Sequence, residues 1–209
     1  CQAWEGIQNR PALTELERLA SHDLVISTPH VLNLGWVRTD EQPYTGLSTT
    51  LEATWNGSPS VKKDALRELN PNFTFIVSVF YREGSFVGDE DTITDLWKFG
   101  DYPPDSPFWI RDEAGEPVPA FGRDDNLDGT IQPEEIQLVL VDFRNPDLIE
   151  LIAQKALILD QSGVVDGIFL DWWSERHRTA GSFLDWEEFY MTLEEEVEAR
   201  LAILPRIRE

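Results

Sequence analysis

Cysteine is almost missing from this 209-residue chain, whose one cysteine is Cys1. That excludes a disulfide framework and a thiolate metal cluster. The three histidines, His22, His30 and His177, are scattered and lack the close spacing of a zinc site. Basic side chains are also few: 17 Lys and Arg stand against 39 Asp and Glu, a net charge of -22. A field of that sign repels phosphate backbones, so nucleic-acid binding is excluded, and it repels anionic membrane surfaces. It admits a neutral substrate or a cation. No apolar run reaches the ~18 residues that would span a bilayer, and no secretory hydrophobic region is visible. The chain has no Ser-His-Asp set, no phosphate-cradling glycine loop and no dinucleotide signature. Two glycan-acceptor patterns, at Asn56 and Asn72, read as chance matches. Pro59 weakens the first, and Asn72 leads into a buried strand.

Aromatics, by contrast, are plentiful: eight Trp and eleven Phe. They suit a thick core or a surface that stacks on flat ligands. Cys1 at the head of the chain fits the lipidated first residue of a mature bacterial lipoprotein, and with it an extracellular or cell-surface location; it fits a trimmed piece of a longer chain equally well.

Strand and helix signals alternate. "PALTELERLASHD" (11–23) puts Leu13, Leu16, Leu19 and Ala20 on one helical face, with Thr14 and Glu17 as a capping pair. "DLVIST" (23–28) is a short buried strand. Residues 29–60 read as a long loop. "SVKKDALRELN" (60–70) reads as a helix capped by Ser60. "FTFIVSVFY" (73–81) is the strongest strand, apolar on both faces. A short helix is expected over 91–100, and a hairpin or extended loop around Gly115 over 107–122. "IQLVLVDF" (136–143) is a further strand. Residues 145–163 form a helix with Asn145 as N-cap, Pro146 in its first turn and Gly163 as its stop. "GIFLDWW" (167–173) is a strand, and 184–209 a long amphipathic helix. Apolar strands separated by helices imply parallel pairing and an α/β fold, in a single domain over 1–209.

The segment "GRDDNLDGTIQPEE" (122–135) carries the sharpest motif. With Asp124 first in a twelve-residue loop, Asn126, Asp128, Thr130, Gln132 and Glu135 occupy positions three, five, seven, nine and twelve, and Gly129 is sixth. Calcium wants six to eight oxygens, and this pattern supplies them around a common centre. Gly129 permits the sharp turn, the Thr130 carbonyl adds an oxygen, Gln132 acts through a water and Glu135 binds with both carboxylate oxygens. Pro117 and Pro119 preclude an entering helix, and a strand follows the loop. The reading is therefore an isolated structural Ca²⁺ loop, inserted over 122–136, of the kind found in extracellular domains. The alternative is a solvated acidic turn.

"VVDGIFLDWWSE" (164–175) ends a buried strand in Asp171. In parallel α/β sheets the C-terminal ends of the strands carry the chemistry. Asp166 lies at the other end, roughly 16 Å away for five extended residues, so the two cannot act as one pair. Trp172 and Trp173 follow Asp171 directly. Flat indoles beside a carboxylate suit a sugar ring. Equally, Asp171 could cap a turn while the two Trp belong to the core.

Taken in order, "DLVIST", "LRELNPNFTFIVSVF", "FWIRDEAGEPV", "LVDFRNPDLIELIAQKA" and "GVVDGIFLDWW" resemble the uncharacterised (β/α)8-barrel glycoside hydrolases related to polygalactosaminidase-type and amylase-like barrels, over residues 13–200. The resemblance implies a TIM-type barrel, partial in a chain shorter than the usual ~250 residues, and a polysaccharide substrate. It implies that Asp171 is the carboxylate after the fourth strand, with Trp172, Trp173 and Trp36 as sugar-stacking walls. Glu83 is a further substrate contact. A second carboxylate is required and none stands out; Glu175 is too close in sequence to face Asp171 across a sugar. An incomplete barrel has open edges and an exposed inner face, so it implies self-association. A non-catalytic, calcium-locked extracellular module for glycan binding or assembly is the other expectation.

Overall fold

The computed structural model describes residues 13–85, 101–122, 136–170 and 192–209. They form a mixed α/β fold with helices α1 (Glu15–Ala20), α2 (Pro59–Leu69), α3 (Pro146–Gln161) and α4 (Leu193–Arg208). The strands are β1 (Leu24–Ser27), β2 (Leu34–Trp36), β3 (Leu51–Ala53), β4 (Thr74–Val79), β5 (Glu83–Ser85), β6 (Pro119–Gly122), β7 (Ile136–Leu140) and β8 (Gly167–Leu170). The expected helix over 91–100 lies outside the described residues, as do 184–191; the helix expected over 184–209 starts instead at Leu193, because Thr192 is extended and caps it.

The chain divides into two compact units. The first holds a parallel sheet in the order β1-β4-β8. Its strands are short, β-branched and aromatic, and they alternate: Phe75, Val77 and Val79 of β4 are buried. The register sets Ile26, Ile76 and Gly167 side by side, and Ser78 beside Phe169. With Leu24 and Thr74 these residues share the opposite face, which carries no charged side chain. Helix α1 begins with a capping box. The Thr14 hydroxyl accepts from the Glu17 amide at 3.2 Å, and the Glu17 carboxylate accepts from the Thr14 amide at 2.8 Å. Helix α2 is capped by Ser58 rather than Ser60, because Pro59 takes the first helical position, where its missing N–H costs nothing.

The segment expected as a loop also holds structure: β2 and β3 pair antiparallel, with Leu34 opposite Ala53 and Trp36 opposite Leu51. Asn33 pins this pair. It is buried and adopts a left-handed conformation, φ 59°. Its carbonyl accepts from the Thr54 amide at 2.7 Å, and its side-chain amide donates to the Asn56 carbonyl at 3.3 Å. Asn33→Ala is expected to lower stability by about 2 kcal/mol, one part from the left-handed backbone and one from the lost amide donor. Asn33→Gly, which relaxes the backbone alone, should lose about half of that. Urea unfolding checks both; equal losses in the two variants would remove backbone strain from the account.

The second unit holds an antiparallel sheet in the order β5-β7-β6. Here the expectation of purely parallel pairing is corrected. Strand β7 pairs antiparallel with both β5 and β6, a direction that apolar texture alone does not set. The hairpin around Gly115 is as expected: that glycine has φ +86°, and Arg111 bridges Pro117. Tyr102 packs edge-to-face on Phe108 and Trp109 at centroid distances of 5.2 and 5.3 Å. Burial pushes the Tyr102 phenol pKa up, and the charge of Asp101 adds to the shift. Helix α4 begins with a second capping box, Thr192 with Glu195, and carries a buried Glu196–Arg200 ion pair one turn apart.

Candidate functional site

Ligands of parallel α/β sheets bind outside the carboxyl ends of the strands. In the first unit those ends are Ser27, Val79 and Leu170. Asp171 is the next residue after β8, and Asp171, Trp172 and Trp173 lie outside the described residues. So do the six calcium-ligand candidates, Asp124, Asn126, Asp128, Thr130, Gln132 and Glu135. The flanks of that segment are described: β6 and β7 are antiparallel neighbours, and Gly122 stands opposite Ile136. Residues 123–135 therefore link two paired strand ends.

The opposite end of the sheet is fixed by Asp166. Its backbone amide donates to the Phe75 carbonyl at 2.8 Å, and its Oδ2 accepts from the Phe75 amide at 2.9 Å. Its Oδ1 accepts from Lys63 Nζ at 2.8 Å and Arg67 Nη2 at 2.9 Å, both on α2. Lys63 and Arg67 are four residues apart and so share a helical face. Partial desolvation raises the Asp166 pKa. The Lys63 hydrogen bond, the Phe75 amide and the two cationic charges outweigh it and hold the carboxyl below its ordinary range. The carboxylate thus ties β8, β4 and α2 together.

Two sequence-predicted contacts are described. Trp36 is half-buried in the first unit, and the Lys155 ammonium sits 4.0 Å from its ring centroid. Lys155 is itself buried in α3. One indole face is thus already covered by a cation, and any sugar stacking at Trp36 falls to the other. Glu83 is buried in β5 of the second unit, opposite Leu140. Its neighbour Arg82 is also buried; desolvation pulls the guanidinium pKa down, and the charge of Glu83 opposes that shift.

Sequence reasoning missed Lys63, Arg67 and Lys155. The spacing of Lys63 and Arg67 was a usable signal, since two cations on one face of α2 call for an acid. Nothing local to Lys155 marks it as the partner of Trp36.

Among the described residues no three His, Cys, Asp or Glu side chains gather as a metal site, and no helix is long and apolar enough to cross a membrane. No family model and no curated protein matches the chain. The described strands form three small sheets, not a closed eight-stranded barrel. These findings overturn the resemblance to the (β/α)8-barrel glycoside hydrolases. Its strand motifs are short apolar runs, a pattern that burial in any parallel sheet selects. What the described residues form is a mixed α/β fold with one parallel and two antiparallel sheets.

Proposed function

We propose that this chain binds and hydrolyses a neutral polysaccharide, with Asp171 as a reacting carboxylate and Trp172 and Trp173 as its stacking walls. The observation that supports it is the parallel sheet: β8 ends at Leu170, and the chain reaches Asp171 one residue later. The acidic balance of the chain favours a neutral substrate over an anionic one. We propose further that Asp124, Asn126, Asp128, Thr130, Gln132 and Glu135 hold Ca²⁺ between β6 and β7. The pairing of Gly122 with Ile136 supports this, because it limits how far the ends of the loop can part. An extracellular setting, where calcium is plentiful, goes with the reading.

Release of reducing ends from a polysaccharide panel, with calcium and with a chelator, tests it. A site filled a hundredfold above its Kd adds about 2.7 kcal/mol, so chelation should lower Tm by roughly 5–10 °C. An unchanged Tm removes the calcium site, and no sugar release from any glycan removes the hydrolase.

One observation favours a second reading, a non-catalytic scaffold that self-associates. Leu24, Ile26 and Phe169 on the uncharged face of the parallel sheet are 48%, 40% and 39% exposed. Light scattering distinguishes the two: an active monomer supports the hydrolase, an inactive oligomer the scaffold.

A further inference from the structure

Strand β3 runs into a tight turn, residues 54–57, that carries Trp55 at its tip. Trp55 is 94% exposed, the highest value for any large apolar side chain among the described residues. An indole left in water forgoes one of the largest hydrophobic gains a side chain offers. The turn beneath it is held firmly. The Thr54 amide donates to the Asn33 carbonyl at 2.7 Å, and the Gly57 amide donates to the Thr54 carbonyl at 3.3 Å. The Asn33 side-chain amide donates to the Asn56 carbonyl at 3.3 Å, and its Oδ1 accepts from Lys62 Nζ at 3.5 Å. Gly57 has φ +118°, a conformation that other residues rarely adopt. A flat aromatic surface is therefore presented to solvent on a backbone that needs little further ordering when something binds.

The surroundings select the ligand. A stacked nucleobase would bring phosphates into the field of a chain with net charge -22. A protein partner would need a broad apolar patch around the indole; Ala53 and Val61 are exposed nearby, but Glu52, Asn56, Ser58 and Ser60, polar and exposed, interrupt any such patch. A sugar ring meets both conditions. Its C–H face packs on an indole, and its rim of hydroxyls bonds to carboxylate, amide and hydroxyl groups.

We infer that Trp55 is a carbohydrate-stacking site, separate in sequence from Asp171, that retains a neutral polysaccharide on the protein. The inference rests on the carbohydrate reading proposed above. Because Trp55 touches so little of the protein, Trp55→Ala should fold as the wild type does, with an unchanged Tm.

The test is retention of the full chain on insoluble cellulose and on chitin, in about 0.5 M salt to screen charge. Alongside it, reducing-end release is measured from soluble oligosaccharides of the same glycans. Wild type should be retained on at least one of the two, and Trp55→Ala retained roughly fivefold less, the share one stacking contact supplies. Equal retention of the two proteins overturns the Trp55 site and leaves the carbohydrate reading standing. If neither solid retains wild type, the Trp55 site is also overturned, and release from the soluble oligosaccharides decides the carbohydrate reading by itself.

Discussion

Asp166→Asn is expected to destabilise the protein by about 3 kcal/mol, because it leaves a buried cation without its counter-charge. The Lys63 side chain is 5% exposed, and its ammonium lies 2.8 Å from Asp166 Oδ1. Water cannot replace the lost partner there at little cost. Arg67, nearly half exposed, can turn to solvent, so most of the loss falls on Lys63. The side-chain amide that replaces the carboxylate can still meet Phe75, which keeps the β4–β8 register. A double variant, Lys63→Met with Asp166→Asn, should recover much of the loss, because it removes both charges together. Urea unfolding at pH 7 measures all three proteins. A single-variant loss under about 1 kcal/mol, or a double variant no better than the single, would remove the buried pair from the account.

The same carboxylate predicts part of the acid limb of stability. Its folded-state pKa lies below the unfolded value, so its contribution is present above the ordinary carboxylate range. It is lost as pH falls through the folded pKa. Asp166→Asn should therefore lose less stability than wild type on acidification below about pH 4.

Asp171→Asn is expected to lower polysaccharide hydrolysis by about a thousandfold while the fold survives. The substitution keeps size and shape and removes only the ability to carry charge or exchange a proton. If Asp171 acts on the glycosidic bond, kcat falls and glycan retention does not. Turnover within about tenfold of wild type would exclude Asp171 from the chemistry. Loss of the fold, read by circular dichroism, would assign Asp171 to the framework instead.

Much of the local structure is legible in the residues themselves. The Thr14–Glu17 box, the Asn145-Pro146 start of α3 and the turn at Gly115 are decided within a few positions of the chain, and each stands where the pattern puts it. Pairing direction is less legible. Strand β7 has the same apolar texture as β4, yet one lies in an antiparallel sheet and the other in a parallel one. Texture records burial, whereas direction depends on the connection. The ties around Asp166 span 103 residues to Lys63 and 99 to Arg67, and the contact between Trp36 and Lys155 joins a hairpin to a distant helix. No window of a dozen residues contains such information. The exposure of Trp55 was equally hidden, since a tryptophan in sequence reads as core until the turn beneath it is known.

The antiparallel sheet has both of its margins blunted. Along β5, Ser85 is already engaged by Asp101, whose amide donates to the Ser85 carbonyl at 2.7 Å and whose carboxylate accepts the Ser85 amide at 2.9 Å. Along β6, Pro119 offers no N–H, and the register slips on both sides of Phe121. A stray strand from another molecule would find few free groups to zip onto at either rim. Fibrillar growth by strand addition is thus discouraged on this sheet, and any aggregation of the protein should begin elsewhere in the molecule.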